Sequence, residues 1–441
     1  MGADTDRIDS QELPPGPSLP GPLQTARWLA RPLPFLEQCA RRFGETFTLR
    51  IRNELTWVVI SNPEDVREVF TAEPSVMRAG EANVVLAPIL GATSLLLLDE
   101  PAHMEHRRLM LPPFHGKRME QYRHLIEEVT LAELSRWPRS EPFALWPSMQ
   151  AITLEVIMRA VFGITDAGRL HYVREVLRTA VEWLADRRRL AMMALLGPER
   201  LKRSALFTAQ VKRVDEALLS EISNRRRAED LDEREDILSM MILAQFEDGG
   251  QMSDRELRDE LLTLLLAGHE TTATSLAWAF ERLVRHPEKL ARLREEASAG
   301  GQESYLEAVV KETLRLRPVV PIVIRKLAAP TQIGRFTLPK GVGVVPCIHL
   351  VHRRPEVYRE PHAFKPERFL EKPAGTYTWI PFGGGVRRCL GASFAQMEMK
   401  EVLRTVLSEV NLSPADRVPE PIVRRSITLA PKRRATVLVS A

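Results

Sequence analysis

Apolar and polar positions along most of the chain alternate with the three-to-four-residue period of amphipathic helices. From about residue 62 to 315 nearly every segment has this pattern, with breaks at proline and glycine. Short β-like runs precede it at 46–51 and 56–61, and the stretch 318–380 is rich in short apolar runs and turn residues. The pattern therefore predicts a mainly α-helical protein with a minor β portion.

The two ends of the chain differ from this pattern. Residues 1–20 are rich in proline and acidic residues and have no apolar core, which predicts a flexible tail. A helical pattern returns after Gly391, and residues 425–440 predict a closing β-hairpin. No internal repeat or low-complexity linker interrupts the sequence between these ends. We therefore expect residues 21–441 to form a single domain.

Composition and charge exclude several classes of protein. The net charge of +4 over 441 residues is small and dispersed, so it does not indicate a nucleic-acid partner. No window has the roughly 20 uncharged apolar residues of a membrane span, and the N-terminus does not resemble a signal peptide. The three cysteines, Cys39, Cys347 and Cys389, are far apart and odd in number, which indicates a reducing compartment. We predict a cytoplasmic protein.

One predicted helix is unusually long. It begins at Ser253, which forms a capping box with Glu256, and it continues to about His286, so it is long enough to cross the whole molecule. Its apolar middle contains "GHETT" at 268–272, where glycine and threonine favour a local opening of the helix. This segment alone is compatible with a kink in a core helix or with a functional site. A zinc H-E-x-x-H motif is excluded because residue 273 is Ala.

The segment "PFGGGVRRCLGASFAQMEMKEVL" places a cysteine after three glycines. It lacks the Gly-Lys-Ser/Thr of a phosphate loop and the additional ligands of a zinc site. A buried cysteine in a tight turn would not explain Arg387 and Arg388 beside it. Glycines allow backbone N–H groups to approach the sulfur, and the helix beginning near Ala392 adds its positive end. The pattern favours a Cys389 thiolate, which can bind haem iron, with Arg387 paired to a haem propionate.

The cysteine segment resembles the cytochrome P-450 superfamily. Its signature F-x-x-G-x-R-x-C-x-G is matched at every defined position, by Phe382, Gly385, Arg387, Cys389 and Gly391, and the resemblance extends over about residues 15–441. It implies the cytochrome P-450 fold, in which a long central helix lies over the haem beside small β-sheets. It also implies haem b (iron protoporphyrin IX) as cofactor, with those five residues at the haem and Cys389 as axial ligand of the iron.

The long helix carries a second point of resemblance. Ala267-Gly268-His269-Glu270-Thr271 is similar to the oxygen-activating motif of the family. The resemblance implies that Ala267 and Gly268 lie against the haem. It also implies that Glu270 and Thr271 are catalytic residues that hold water and deliver protons during oxygen activation.

A third motif follows in the family's order. Glu312-Thr313-Leu314-Arg315 resembles the family's E-x-x-R, and Arg368 belongs to a segment whose arginine completes its ion-pair network. The E-x-x-R pattern alone carries little information, because it also occurs at several other places in the chain and usually marks a solvated helix contact. Its position before the cysteine segment singles out Glu312. The resemblance implies a buried charge network of Glu312, Arg315 and Arg368 behind the haem.

Three further residues resemble ligands of the haem propionates. His103 and Arg107 match the H-x-x-x-R of soluble bacterial family members, and their spacing places both on one face of a helix. Arg325 follows the apolar run 319–324 and resembles a third propionate ligand. The resemblance therefore adds three residues to the predicted haem site.

The function implied by the resemblance is haem-thiolate monooxygenation. One oxygen atom of O2 would enter a small molecule, with two electrons from NAD(P)H through a separate ferredoxin or flavodoxin and its reductase. The partner would bind a monomer on the cysteine side, where a basic surface is expected from Arg108, Lys117, Arg118 and Arg388. A peroxide-driven peroxygenase and a non-catalytic haem-binding sensor are the alternatives. Retention of Glu270 and Thr271 argues against both.

The predicted substrate pocket is apolar. The family's distal positions map onto the 79–98 loop, the 185–200 connection, the long helix, the run after Pro318 and the last hairpin. The candidate pocket residues are aliphatic or small: Val84, Val85, Leu86, Leu264, Ala267, Val319, Val320, Ile322 and Ile427. Such a lining predicts a neutral, mostly hydrocarbon substrate such as a sesquiterpenoid, norisoprenoid or steroid, with fatty acids next. Arg187, Arg188 and Arg189 are either a carboxylate anchor at the mouth or a solvated helix face.

Overall fold

The computed structural model describes residues 13–51, 55–114, 116, 118–164, 166–185, 204–299, 301, 303–425 and 427–440. The α-helices of these residues, in chain order, are α1 (Gly21–Ala30), α2 (Pro32–Phe43), α3 (Pro63–Thr71), α4 (Ala87–Leu90), α5 (Ala102–Met110), α6 (Arg118–Leu134), α7 (Leu145–Phe162), α8 (Ala167–Ala185), α9 (Ala205–Arg226), α10 (Ile237–Leu243), α11 (Asp254–Val284), α12 (Pro287–Ala299), α13 (Ser304–Leu316), α14 (Ile348–Val351), α15 (Arg368–Glu371) and α16 (Ala392–Glu409). Short 3-10 helices cover Glu81–Leu86, Pro112–Phe114, Leu231–Glu233 and Gly385–Arg387. The predicted mainly helical fold is confirmed.

The β portion consists of small sheets. Its strands are β1 (Thr46–Arg50), β2 (Thr56–Ile60), β3 (Met77–Arg78), β4 (Phe143–Ala144), β5 (Arg325–Leu327), β6 (Thr331–Ile333), β7 (Phe336–Leu338), β8 (Gly343–Pro346), β9 (Asn411–Pro414), β10 (Ile422–Arg425), β11 (Thr428–Pro431) and β12 (Thr436–Ser440). The largest sheet has the order β1-β2-β8-β5-β3, with β2 and β8 parallel. It joins the two β-rich parts of the sequence, the early strands and the stretch after α13.

The long helix α11 is the centre of the helical part. The side chain of Ser253 accepts from the backbone N–H of Glu256, which closes the predicted capping box. The helix stays α-helical throughout, so the local opening expected at 268–272 is absent. The Thr271 hydroxyl donates to the Ala267 carbonyl at 2.5 Å, one turn back, and this bond forms without interrupting the helix.

The core forms where α11 packs against α7 and α16. Leu276 and Phe280 of α11, Ile152 of α7 and Val402 of α16 share one buried cluster, and each is at most 1% exposed. Burying each such side chain stabilises the fold by about 1.5–3 kcal/mol. The central helix is therefore held rigidly on the sides that do not face the site described below.

Two predictions about the chain ends differ from the structure, although residues 1–12 of the predicted tail lie outside the described residues. Residues 13–20 are not a flexible tail, because the carbonyls of Pro14 and Pro15 accept from the Thr48 hydroxyl at 2.7 Å and its N–H at 3.0 Å. Residues 425–440 are not one hairpin: β11 pairs with β10, and β12 pairs with β9 and β4. Positive φ angles at Arg434 (63°) and Ala435 (53°) turn the chain away from β11 between these strands.

No helix within the described residues is long and apolar enough to cross a membrane.

Candidate active site

The glycines before Cys389 shape a tight loop on the end of α3. Gly383 and Gly385 have φ angles of 67° and 65°, a region that glycine adopts at little cost. A Cβ on Gly385 would lie 2.1 Å from the Phe70 carbonyl oxygen, and one on Gly384 would lie 2.2 Å from the Phe70 ring. From the sequence we predicted that these glycines allow backbone N–H groups to approach the sulfur. In the structure, Gly384 and Gly385 instead let the loop pack against Phe70.

The Cys389 thiol lies at the N-terminal end of α16. The backbone N–H of Cys389 donates to the Phe382 carbonyl at 2.9 Å. Burial raises the pKa of the thiol, and the Gly391 N–H, Arg107 and Arg388 oppose this effect by favouring the thiolate. The side chain is solvent-accessible although protein surrounds it, so it faces an interior recess.

The other two cysteines have a different environment. Cys39 and Cys347 are buried in packed core, where burial raises their pKa to about 11 and about 12. Neither sulfur can present a thiolate to a cofactor from such a position. Of the three cysteines, Cys389 is therefore the one with an accessible sulfur.

A group of basic side chains surrounds the same recess. Arg387 pairs with Asp99 at 3.0 Å, and His103 Nδ1 bonds Glu100 at 2.7 Å. Burial, and then the nearby Arg387 charge, lowers the pKa of Arg325 to about 10 and that of His103 to about 4. Mutual repulsion among these groups favours an additional anionic partner.

A haem fits this donor set. Its two propionate carboxylates would complement Arg107, Arg325, Arg387 and His103, and its iron would take the Cys389 sulfur. When bound, the haem supplies the oxygen-activation chemistry, while the protein binds, orients and delivers protons. The predicted cofactor-binding residues His103, Arg107, Arg325, Arg387 and Cys389 are thus brought together.

The central helix presents one accessible face. Ala267 is exposed, and Leu264 and Thr271 are half-buried, although most residues of α11 are buried. Their spacing of three and four places these side chains on the same face of the helix. Gly268 has another role: a Cβ there would lie 2.8 Å from Ile157 Cδ1, so the glycine allows α7 and α11 to pack closely.

The Glu270 side chain points away from the accessible face of α11, toward α7. Its Oε2 accepts from Gln150 Nε2 at 2.9 Å. Its Oε1 lies 3.3 Å from Arg425 Nε, without the alignment of a hydrogen bond. Burial raises the pKa of Glu270, and Arg425 and Gln150 partly offset that rise. Sequence reasoning missed Gln150 and Arg425, and no local pattern links either of them to Glu270.

The predicted charge network behind the site is fully formed. Arg315 donates to both Glu312 oxygens, at 2.7 and 2.8 Å, and Arg368 Nε lies 3.2 Å from Glu312. The side chains of Glu312 and Arg315 are 0% exposed. Further Arg315 N–H groups donate to the carbonyls of His352, Pro361 and Ala363. Each buried charge in this network is therefore paired.

His352 connects the network to the cysteine loop, a role that sequence reasoning missed. Its Nδ1 lies 3.2 Å from the Arg315 carbonyl, and its Nε2 accepts from the Ile380 N–H at 2.8 Å. Burial holds its pKa well below the ordinary value, so the ring is neutral and carries one proton, on Nδ1. Ile380 comes two residues before Phe382, so the imidazole fixes the start of the loop.

Glu398 on α16 is a contrasting buried carboxyl that the sequence did not single out. Within the described part of the chain, no hydrogen-bond donor reaches its Oε1. Burial alone raises its pKa to about 8. The group is therefore protonated at neutral pH.

The predicted pocket residues divide into two groups. Val84 and Ile427 are exposed, and Val85, Leu86 and Val320 are half-buried. Val319 is buried, and its carbonyl accepts from the Leu429 N–H at 2.8 Å. Ile322 packs against the core cluster around Trp28. Residues 187–189 and most of the 185–200 connection lie outside the described residues. The accessible residues, with Leu264 and Ala267, are the ones available to a ligand.

The expected basic surface is described in part. Arg108 and Arg388 are exposed, and Arg108 pairs with Glu247. Arg118 is half-buried, and Lys117 lies outside the described residues.

Fold and site together define a haem-thiolate protein, and comparison with known proteins agrees. The family model for Cytochrome P450 matches residues 14–439. The chain is 44% identical over 98% of its length to a putative cytochrome P450 135B1 of Mycobacterium tuberculosis, covering 92% of that protein. It is 39% identical over 90% of its length to a putative cytochrome P450 137 of the same species, covering 83% of that protein.

Solved structures show the same fold. A retinoic acid-bound cyanobacterial CYP120A1 matches with a TM-score of 0.84 at 24% identity, covering 97% of this chain and 99% of that one. The haem domain of cytochrome P450DA matches with a TM-score of 0.83 at 24% identity, covering 97% of each chain. The chain belongs to the cytochrome P450 family and is a haem-thiolate monooxygenase, an oxidoreductase.

Proposed function

We propose that this monooxygenase oxidises a neutral, mostly hydrocarbon small molecule, such as a terpenoid or steroid, with fatty acids as the next candidates. The observation that carries the proposal is the accessible face of α11, where Leu264 and Ala267 lead to Thr271. An apolar lining of this kind gains about 25 cal/mol for each Å² of apolar ligand surface that it buries. It offers little to a charged ligand.

Ligand titrations followed by absorbance test this proposal. Terpenoids and steroids should shift the Soret band to shorter wavelength as they displace the water bound to iron. Size-matched charged compounds provide the control. A full shift with charged compounds and none with terpenoids or steroids would contradict the proposed substrate class.

We also propose the roles of the site residues. Cys389 binds the iron of haem b, Arg107, Arg325, Arg387 and His103 hold the propionates, and Glu270 and Thr271 deliver protons. Cys389→Ser should lose the thiolate-specific band of the reduced carbon monoxide complex, while Cys39→Ser and Cys347→Ser keep it. Loss of the band in Cys347→Ser instead would refute the assignment.

Proton delivery is tested at Thr271. Thr271→Ala should still bind haem and substrate, but product formed per NAD(P)H consumed should fall and peroxide should accumulate, because protons arrive at the wrong time. An unchanged ratio would remove Thr271 from the relay. A peroxygenase would instead form product with peroxide as efficiently as with NAD(P)H and its partners.

The electron supply completes the proposal. Electrons come from NAD(P)H through a ferredoxin or flavodoxin and its reductase, in the cytoplasm, and the partner binds a monomer near Arg108, Arg118 and Arg388. Arg388→Glu should weaken partner binding at low salt, with a smaller effect at high salt, since the contact is electrostatic. Carbon monoxide spectra of the variant check that its haem site remains intact.

A further inference from the structure

The carboxyl of Glu270 is held by two elements other than its own helix. Gln150 reaches it from α7 and Arg425 reaches it from β10. These are the polar and charged groups that act on this carboxyl within the described residues. His269, the adjacent residue, is neutral because burial lowers its pKa to about 4, and its Nδ1 bonds the Thr153 hydroxyl at 2.9 Å. Arg425 is therefore the charged neighbour of Glu270 within the described residues.

Arg425 is itself clamped in place. Its guanidinium lies over the Trp146 ring, 4.5 Å from the ring centroid. Trp146 Nε1 donates to the Thr274 hydroxyl at 3.2 Å, one turn beyond Glu270 on α11. The arginine is thus fixed between an aromatic ring and a carboxylate, and both are attached to the central helix.

The same arginine belongs to the β10–β11 hairpin, next to its tip. Arg425 is opposite Thr428 in the β10–β11 pairing, and its carbonyl accepts from the Thr428 hydroxyl at 2.8 Å. The tip residue Ile427 is 51% exposed and is one of the proposed pocket residues. Strand β11 is anchored separately, since Trp278 Nε1 donates to the Leu429 carbonyl at 3.1 Å. A displacement of the tip would therefore reach Glu270 through Arg425.

We infer that Arg425 is a positioning residue for the proton relay. It holds the Glu270 carboxyl toward α7 and links the β10–β11 hairpin to proton delivery. The inference rests on the proposed role of Glu270 and Thr271. The Thr271 hydroxyl cannot hold the Glu270 carboxyl in place of Arg425, because it is bonded to the Ala267 carbonyl on its own helix. The arginine acts through Glu270 and needs no contact with substrate.

The experiment compares Arg425→Gln with Arg424→Gln in the haem-loaded enzyme. Arg424 is the matched control, because it is the adjacent arginine of the same strand and lies over Trp28 instead. The first measurement is the pH dependence of product formed per NAD(P)H consumed. The second, independent of turnover, is the infrared titration of the carboxyl band that disappears in Glu270→Gln.

In Arg425→Gln, the titration of this band and the low-pH limb of the profile should both move to higher pH, since loss of the positive charge raises the pKa of Glu270. Arg424→Gln should match the wild type in both. Arg425→Lys should restore most of the wild-type behaviour because it keeps the charge. Arg425→Met, which keeps the apolar stem over Trp146, provides a second charge-free variant should Arg425→Gln fail to bind haem.

Two results overturn the inference in distinguishable ways. If Glu270→Gln changes the profile but the charge-free Arg425 variants titrate like the wild type, Arg425 does not position the relay, and the proposed function stands. If Glu270→Gln itself leaves product per NAD(P)H unchanged at every pH, the proposed relay fails and the inference fails with it.

Discussion

The buried carboxylate of Glu312 and the half-buried carboxylate of Glu270 are held in different ways. Glu312 receives both forks of Arg315, a contact from Arg368 and the Lys365 N–H at 2.8 Å. Glu270 has one well-aligned hydrogen bond, from Gln150, and an unaligned ion pair with Arg425. Glu312 therefore has partners on both of its oxygens, whereas burial raises the pKa of Glu270 and no aligned hydrogen bond reaches its Oε1 within the described residues. Full pairing is thus found at the structural network, and incomplete pairing at the carboxylate for which we propose a proton-transfer role.

The largest effect is expected from breaking the complete network. Arg315→Leu would leave Glu312 and three carbonyls without their principal donor, at a cost of about 3–5 kcal/mol in the free energy of unfolding. Denaturant unfolding of the purified protein measures this loss. A loss under about 1 kcal/mol would show that the network is not structural.

The next effect concerns Glu398, whose Oε1 has no hydrogen-bond partner within the described residues. Its pKa is raised from 4.5 to about 8 by burial, so its contribution to stability is present below pH 4.5 and is lost as pH rises through about 8. Glu398→Gln should therefore unfold like the wild type in acid and be more stable by a few kcal/mol above pH 8. Melting temperatures across pH measure this difference. The control is Glu409→Gln, an exposed position of the same helix, which should leave the pH dependence unchanged.

A smaller effect on stability is expected at the incompletely paired acid. Glu270→Gln keeps the side-chain shape and an oxygen acceptor for Gln150, so the free energy of unfolding should change by about 1 kcal/mol or less. Product per NAD(P)H should nevertheless fall several-fold, because the amide cannot carry a proton. Loss of stability as large as in Arg315→Leu would erase the distinction between the two regions.

The smallest effect is expected at an exposed pair. Arg67 and Glu64 lie 3.0 Å apart on α3, and their side chains are 54% and 73% exposed. Arg67→Leu should change the free energy of unfolding by about 0.5 kcal/mol, because solvent screens such pairs. The same denaturant experiment as for Arg315→Leu measures it, with the same change of residue type.

Sequence reasoning succeeded where the relevant residues are close in the chain. The cysteine loop is one contiguous segment, and the capping box and the Glu312–Arg315 pair have fixed helical spacings. Arg368 could be placed because the family resemblance supplied its position. Local spacing and a known motif are sufficient for contacts of this kind.

Contacts between distant segments could not be predicted. Gln150 and Arg425 meet Glu270 only after α7, α11 and β10 have packed, and nothing in their local sequence indicates it. The prediction of one hairpin over residues 425–440 was wrong for a related reason. Its apolar alternation is correct on both sides, but the left-handed backbone at Arg434 and Ala435 decides which strand is the neighbour. Alternation predicts strands, whereas pairing depends on the turn between them.

The packing of Gly384 and Gly385 on Phe70 has a consequence for biosynthesis. The ribosome makes Phe70 well before the cysteine loop, because Phe70 lies far upstream of the loop in the chain. The loop packs closely on α3, so Cys389 reaches its place in the fold only after both segments have been made. A ribosome-bound chain that ends before the loop would carry α3 and the central helix but not Cys389, so the part of the site that this loop forms can be completed only after the loop has emerged.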